Sequence, residues 1–355
     1  MRRILFASAI LMVTFGFMGT GSAFSAVKKP ATAAELALYT GADRQQVLEE
    51  GAKKEGKLVF YTVGIVNQAV RPVIDAFQKK YPFIKVEIWR AGSNDLLPRI
   101  MEEYRAGKHQ CDVIECTQLL SILLQREGMI QPFVSPALKY VQEDAIMKAP
   151  GQAAFLVSFR ENGLGLGYNT KRIAKGQLPK TYQDLLDPKW RGKSGIAGSE
   201  TGVYWLGTML NAFGEDFVKK IAQQKFDVHL VSARALLDMV INGEYAFSPT
   251  IFESHVENSK DKGAPCDWVP LEPVHINVGQ IAMYKYSSHP YASLLFIDFE
   301  LSKESAEIHK QIGYNPTRKD VPGAVKTYKK FFGVESVEEG IKWKETFDRL
   351  FLKHE

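Results

Sequence analysis

Hydrophobic and polar residues follow two different periods over residues 56–118, and this stretch organises the predicted fold. Three short apolar runs are rich in Val, Ile and aromatic side chains, as β-strands are: Leu58–Val63, Ile84–Trp89 and Val113–Cys116. The segments between them, which end at Tyr81 and at Arg105, carry apolar residues at the spacing of amphipathic helices. Strands that alternate with amphipathic helices predict an α/β fold with a parallel sheet.

The ends of these predicted strands are where we expect function. In open sheets with helical crossovers, ligands bind outside the carboxyl ends of the strands, near a switch in strand order. The loops at those ends are Thr62–Asn67, Arg90–Asn94 and Glu115–Gln118.

A second candidate region lies where a predicted strand, SGIAGSETG, leads into a helix. The turn Ser199–Gly202 is followed at once by a predicted helix over Val203–Phe213. Free backbone N–H groups and the positive end of the helix dipole make such a turn a ready anion site. A simple helix N-cap explains the same residues. An anion here requires the carboxylate of Glu200 to point away.

The first 26 residues predict a secretory leader. Arginines precede a long apolar run, Ile4–Met18, and small residues follow over Gly21–Ala26. Cleavage after Ala23 and cleavage after Ser25 both fit. A membrane anchor is the alternative, but the apolar run is short for a span. We therefore expect an exported protein.

Charge, length and cysteines narrow the class of protein. The formal net charge of the 355-residue chain is +5, too small and too dispersed for a nucleic-acid-binding face. The length exceeds what one core supports, so we expect two domains. Cys111, Cys116 and Cys266 are expected to be buried free thiols, with a bridge to Cys266 as the alternative.

The sequence contains little that indicates catalysis. It has no H-E-x-x-H or Cys/His metal spacing and no G-x-S-x-G nucleophile elbow. Glu253, His255 and Glu257 are close enough in sequence to ligate a metal, or they form a solvated segment. We expect no enzyme, no metal and no cofactor.

Eight segments, taken in order, resemble one family: EGKLVFYT, AFQKKYPFIKVEIWRAGS, LLPRIMEEYRAGKHQCDVI, GLGYNTKRI, TYQDLLDPKWRGK, LVSARALLDMVINGEYAF, KGAPCDWV and HPYASLLFIDFELSKESAEI. They are similar to the family 1 extracellular solute-binding proteins, in particular the ferric-iron-type periplasmic binding proteins of ABC importers. The resemblance implies a type II fold, in which two lobes, each a mostly parallel sheet flanked by helices, are joined by hinge strands. Lobe I is expected over residues 27–157 and 274–313, and lobe II over residues 158–273 and 314–355.

The resemblance also implies partners and a site. Iron-binding members place a His, a Glu and a tyrosine pair at positions that correspond to Ile65, Thr117 and the pair Ile251 and Phe252. None of these side chains offers an anionic oxygen to ferric iron. The anion cradle of the family corresponds to residues 201–203 and Ser232, and these positions keep a hydroxyl or a free N–H group.

We therefore expect a monomeric periplasmic protein that closes over a small anionic organic or phosphonate-type solute and delivers it to an ABC permease at the inner membrane. Arg90 is the expected counter-charge, with a plain surface arginine as the alternative reading. The full set of candidate ligand-binding residues is Thr62, Arg90, Ser93, Thr117, Tyr168, Ser199, Thr201, Gly202, Ser232, Thr250 and Phe252. The alternatives are a ferric iron or iron-chelate binder and, from another class, an exported enzyme.

Overall fold

The computed structural model describes residues 29–321, 326–334 and 336–352, except for the side chains of Ser93 and Asn94. The predicted leader lies outside the described residues. The helices are α1 Ala33–Ala37, α2 Arg44–Glu55, α3 Arg71–Lys80, α4 Ser93–Arg105, α5 Gln118–Arg126, α6 Glu200–Phe213, α7 Glu215–Ala222, α8 Ala233–Asn242, α9 Glu253–Lys260, α10 Pro290–Glu300, α11 Lys303–Gln311 and α12 Val337–Phe347. Within the described ranges, none of the helices combines the length and the apolarity needed to cross a membrane.

Most strands join one large mixed sheet. The strands are β1 Lys57–Thr62, β2 Lys85–Arg90, β3 Val113–Cys116, β4 Ile130–Gln131, β5 Ile146–Lys148, β6 Ala154–Asn169, β7 Gly195–Ala197, β8 Asp227–His229, β9 Phe247–Phe252, β10 Cys266–Val269, β11 Val274–Tyr284, β12 Asn315–Pro316 and β13 Lys330–Phe331. Neighbouring strands in the large sheet follow the order β10-β6-β11-β3-β1-β2. Strands β7 and β8 form a separate parallel pair.

The parallel unit predicted over residues 56–118 is confirmed. β1 pairs in parallel with β2 on one side and with β3 on the other, and Thr62 lies opposite both Arg90 and Glu115. The crossover helix α3 buries the apolar stripe that predicted it, including Val73 and Phe77. The carboxyl ends of these three strands consequently meet at one edge of the sheet.

Strand β6 is 16 residues long and connects two packed regions. Near its start it pairs with β5 and β11, so that Val157 lies opposite Ile281. Further along it pairs with β9 and β10, so that Leu164 lies opposite Phe252. β6 and β11 therefore cross from one packed region to the other.

Each region has its own apolar core. The first includes Phe77 and Phe296, whose ring centroids are 5.1 Å apart, and the second includes Trp205 and Phe347. Of the residues of β6, Ala154, Val157 and Phe159 pack into the first core, and Leu164, Leu166 and Tyr168 pack into the second. We call these the first and second cores; the lobe boundaries named above stay a prediction.

The C-terminal part of the chain contacts both cores. β12 pairs with β6 so that Pro316 lies opposite Arg160. Further on, α12 packs against α6 and α5, where Trp343 clusters with Tyr204 and Leu119. This helix therefore spans the side of the molecule at which α5 and α6 approach each other.

The three cysteines are buried and free, as expected. Burial raises the pKa of the Cys111 and Cys116 thiols, so both stay protonated at neutral pH. They behave as small apolar side chains.

Candidate functional site

A polar cleft of about 380 Å³ lies where the strand ends of the first core face helix starts of the second. The first core contributes the loop after β1, Arg90 at the end of β2, and Thr117. The second core contributes the starts of α6, α8 and α9, and the crossing strands supply Arg160, Asn162 and Asn277. The cleft thus occupies the predicted position outside the carboxyl ends of the parallel strands.

Several helices begin at the cleft wall. Thr117 is the N-cap of α5, Ser232 that of α8 and Phe252 that of α9. Helix α6 begins at Glu200, and its N-cap Ser199 makes no side-chain capping bond. Because unpaired N–H groups and a partial positive charge collect at helix starts, these walls favour negative charge in the cleft.

Arg90 supplies a charge on the side of the first core. It ends β2 at the edge of the sheet and is exposed. Its register partner Thr62 lies opposite Glu115 as well, so the three side chains share one face of the sheet. The guanidinium of Arg90 therefore stands at the outer end of a row that continues inward to a buried carboxylate.

The inner end of that row is a buried ion pair. Arg160 on β6 donates from Nη2 to Oε1 of Glu115 at 2.5 Å, and both residues are at most 5 % exposed. The Thr62 hydroxyl donates to Oε2 of Glu115 and accepts the Gly64 N–H at 2.8 Å. These bonds connect the loop after β1 to the crossing strand.

Two further contacts fix the Arg160 guanidinium in the cleft wall. Its Cζ lies 4.4 Å from the ring centroid of Tyr314. On the other side it packs against Gly279 of β11, where a Cβ would come within 2.6 Å of Nε. That Nε atom is buried and has no hydrogen-bond partner. The guanidinium is held in place by packing as well as by its ion pair.

Arg234 and His255 form the wall of the second core. Arg234 donates to the His255 carbonyl at 3.1 Å and to Asp238 Oδ1 at 2.6 Å. Burial, with added repulsion from Arg234 and Arg160, lowers the pKa of His255 to about 3. The imidazole is therefore neutral at physiological pH, and its buried Nδ1 has no partner.

Glu200, Tyr204 and Thr117 meet on one side of the cleft. The Tyr204 hydroxyl donates to Oε1 of Glu200, and the side chain of Thr117 also hydrogen-bonds to Tyr204. Burial and the neighbouring Glu200 carboxylate raise the pKa of Tyr204 well above its usual value, so the phenol stays protonated. This cluster joins α5 of the first core to α6 of the second.

The structure brings part of the predicted set together. The predicted residues that line the cleft are Arg90, Thr117, Thr201, Ser232 and Phe252. Tyr204, which is outside the candidate set, lines it too.

Other predicted residues lie away from the cleft surface. Thr62 and Thr250 are fully buried, because Thr62 bonds to Glu115 and the Thr250 hydroxyl accepts the Ala197 N–H at 2.9 Å. Gly202 is buried against the Ala197 carbonyl and Phe347. Tyr168 is buried beside β10.

Ser199 lies next to the lining at the start of α6. The Ser93 side chain lies outside the described residues. The condition set above for an anion at this turn, that the Glu200 carboxylate points away, is not met, since Glu200 lines the cleft.

Sequence reasoning missed the crossing strands and the α8 arginine. Arg160 follows the apolar run LVSF, and a charge in such a run needs a buried partner, which is the signal that was available. Arg234 stands two residues after Ser232 and so belongs to the same helix start. Asn277 gave no signal, because its position depends on the crossing of β11.

The positions that would carry iron ligands are in or beside the cleft. Ile65, Thr117 and Phe252 line it, and Ile251 is buried behind it. In the described part of the chain, no three His, Cys, Asp or Glu side chains are grouped so as to hold a metal ion. Glu253 therefore belongs to no such group, and its carboxylate pairs with Lys326 at 2.9 Å.

A cleft between two α/β cores, floored by strands that run through both, is the architecture of a two-lobed solute-binding protein. Comparison with known families agrees with this class. Residues 122–333 match the family described as bacterial extracellular solute-binding proteins, and the chain belongs to that family.

Relatives and solved structures extend the likeness along the chain. Iron uptake protein A1 of a Synechocystis species is 23% identical over 265 residues, which is 67% of this chain and 70% of the relative. Iron-bound HitA from Pseudomonas aeruginosa superposes with a TM-score of 0.67 at 22% identity, covering 83% of this chain and 98% of HitA. AfuA from Actinobacillus pleuropneumoniae, with exogenous fructose-6-phosphate bound, gives 0.66 at 20% identity, with coverages of 84% and 99%.

These comparisons confirm the predicted fold and the resemblance to extracellular solute-binding proteins. Since the two structural neighbours hold an iron and a sugar phosphate, the likeness leaves the solute of this chain open. The solute therefore has to be inferred from the side chains that line the cleft.

Proposed function

We propose that the protein is the periplasmic solute-binding component of an ABC importer and that it captures a small anionic organic or phosphonate-type solute. The solute enters the cleft, contacts both cores, and thereby favours the closed arrangement that a membrane permease recognises. We propose binding without catalysis; among the described hydrogen bonds, none joins the His255 ring to a hydroxyl.

The observation that carries the proposal is the convergence of three guanidinium groups on one cleft. Arg90 comes from the first core, Arg160 from a crossing strand and Arg234 from the second core. Arginine binds planar carboxylates and tetrahedral phosphonates through paired N–H donors. The helix starts at Thr201 and Ser232 add N–H groups and dipoles of the same sign.

A melting-temperature screen of the mature protein tests this proposal. A ligand that binds only the folded state raises the melting temperature, so carboxylates or phosphonates are expected to do so while neutral sugars and polyamines are not. Titration calorimetry then compares Arg90→Gln with Arg126→Gln, an exposed arginine on α5. Losing a charged hydrogen bond weakens binding by roughly tenfold or more. The proposal fails if neutral or cationic solutes alone bind, or if both variants bind like the wild type.

Ferric iron held with a chelating anion is the second candidate. It is supported by the iron-bound neighbour and the iron-uptake relative. Against it stand Ile65, Thr117 and Phe252 at the expected ligand positions. A coloured complex formed on titration with a ferric salt and citrate, but not with citrate alone, would favour this candidate over the first.

A further inference from the structure

The charged groups around the cleft are nearly balanced, although three of them are arginines. Arg160 is paired with Glu115 at 2.5 Å, and Arg234 with Asp238 at 2.6 Å. A carboxylate thus already accompanies two of the three cations. Glu200 adds a further negative charge to the lining itself. A cleft with this balance suits a solute whose negative charge is small or is offset within the solute.

Glu200 occupies the same helix start that attracts an anion. It is the first residue of α6, next to the cleft-lining Thr201 and four residues before Tyr204. An oxyanion placed at this helix start lies beside a carboxylate, and two like charges in contact repel strongly in a partly desolvated cleft. If the solute carries a polar hydrogen between its oxyanion and the Glu200 carboxylate, a hydrogen bond replaces the repulsion.

The hydrogen in question must come from the solute, because a carboxylate only accepts. An ionised carboxylate has about four lone-pair sites on its two oxygens, so Glu200 can accept a hydrogen from the solute in addition to the one from the Tyr204 hydroxyl. A singly protonated phosphonate or phosphate has an O–H group for this purpose. An ammonium group next to the oxyanion supplies N–H donors. A sulfonate has neither.

We propose that the solute carries an O–H or N–H donor together with its anionic group, and that Glu200 is the specificity-determining residue that accepts this donor. The inference rests on the proposed function, since it concerns the same cleft. It predicts that the protein distinguishes anions of similar shape by whether they carry such a donor.

Calorimetry with four small probes tests the inference. Ethanesulfonate has no donor, ethylphosphonate has an O–H donor when singly ionised, 2-aminoethanesulfonate has N–H donors, and 2-aminoethylphosphonate has both. We expect at least one donor-bearing probe to bind roughly tenfold to a hundredfold more tightly than ethanesulfonate, as a hydrogen bond to a charged group does. Raising the pH through the second phosphonate ionisation weakens only a probe that depends on its O–H group, which identifies the donor.

Variants of Glu200 complete the test. Glu200→Gln should bring the affinity ratio between donor-bearing probes and ethanesulfonate close to one, whereas Glu200→Asp should retain part of it. Glu215→Gln, at the exposed start of α7, is the matched control and should leave the ratio unchanged. Circular dichroism and the melting temperature establish that each variant is folded.

The outcomes separate the two proposals. Equal binding of all four probes by the wild type, or a ratio that survives Glu200→Gln, overturns the role of Glu200 and leaves the anion-binding function standing. If the wild type binds none of these probes and none of the carboxylates and phosphonates of the melting-temperature screen, the proposed function itself fails.

Discussion

Two buried arginine–carboxylate pairs of this protein use the same chemistry in different places. Arg160 pairs with Glu115 in the cleft wall, and Arg44 pairs with Asp298 between α2 and α10. The arginines are 5 % and 8 % exposed, and the Nε atom of each is buried without a partner. By burial and pairing alone the two are nearly indistinguishable.

The difference lies in what else each guanidinium faces. Arg44 Nη2 donates to the Val134 carbonyl at 2.9 Å, which ties a helix to a loop within the first core. Arg160 lines the cleft beside His255 and stands on the strand that crosses between the cores. A buried ion pair is therefore weak evidence of function by itself, and the surroundings of the pair carry the inference.

Removing each arginine separates stability from binding. Arg160→Met leaves Glu115 buried without a cation, and Arg44→Met does the same to Asp298. Breaking a buried pair in this way costs about 3–5 kcal/mol, so urea unfolding should show a similar loss of stability in both variants. Only Arg160→Met should abolish anion binding in calorimetry.

A double variant tests whether Arg160→Met loses binding only because it is misfolded. Arg160→Met combined with Glu115→Leu removes both charges, which should restore much of the stability without restoring binding. Loss of binding in Arg44→Met, or binding retained in Arg160→Met, would remove the distinction between the two pairs.

The acid sensitivity of the cleft sharpens the comparison, because His255 adjoins Arg160. The pKa of His255 falls to about 3 in the folded protein, mainly through burial and further through Arg234 and Arg160. The unfolded value is near 6.5, so the neutral imidazole stabilises the fold fully above about pH 6.5 and this contribution is lost as the pH falls toward 3.

The expected size of this effect is about 3 kcal/mol between pH 6.5 and about pH 4, at roughly 1.4 kcal/mol per pH unit. Urea unfolding of the wild type and of His255→Gln at several pH values measures it, with the partly exposed His109→Gln as control. If the unfolding free energy of His255→Gln fell with pH as steeply as that of the wild type, His255 would not be held neutral in the folded protein. If an NMR titration shows that Arg160→Met raises the pKa of His255, the charge of Arg160 acts on the imidazole in the wild type.

A smaller change moves the Arg160 guanidinium without removing it. In Gly279→Ala the new methyl group must displace Nε, Cζ and Cγ of Arg160, which lie 2.6–2.8 Å from the position of the Cβ. We expect anion affinity to fall by about tenfold and stability by about 1–3 kcal/mol. Gly176→Ala, whose Cβ meets no atom within 4 Å, is the matched control. Unchanged affinity in Gly279→Ala would show that the position of Arg160 does not matter for the solute.

The parallel unit was predictable from sequence because its signals are local. The switch between a strand period and a helix period is contained in each short segment, and it places Thr62, Arg90 and Thr117 at strand ends. What the side chains do at those ends depends on residues far away. Thr62 turns toward Glu115, which is 53 residues later in the chain, and so it is buried.

The remaining misses have the same origin. The partner that makes a buried Arg160 tolerable is 45 residues earlier in the sequence, and only the sheet brings the two together. An anion at the start of α6 required Glu200 to point away, but the Tyr204 hydroxyl, one helical turn away, holds its carboxylate at the cleft. The local pattern of hydrophobic residues predicts helices and strands. The cleft forms where strands and helices that are distant in sequence come together, which the local pattern does not show.

The length of β6 has a consequence for how the molecule comes apart. Because one strand supplies side chains to both cores and hydrogen bonds to β5, β9, β10 and β11, neither core can lose it without exposing the other. Proteins built from separable domains melt in steps, but here the shared strand couples the two cores. Folding of the whole chain is therefore expected to be cooperative.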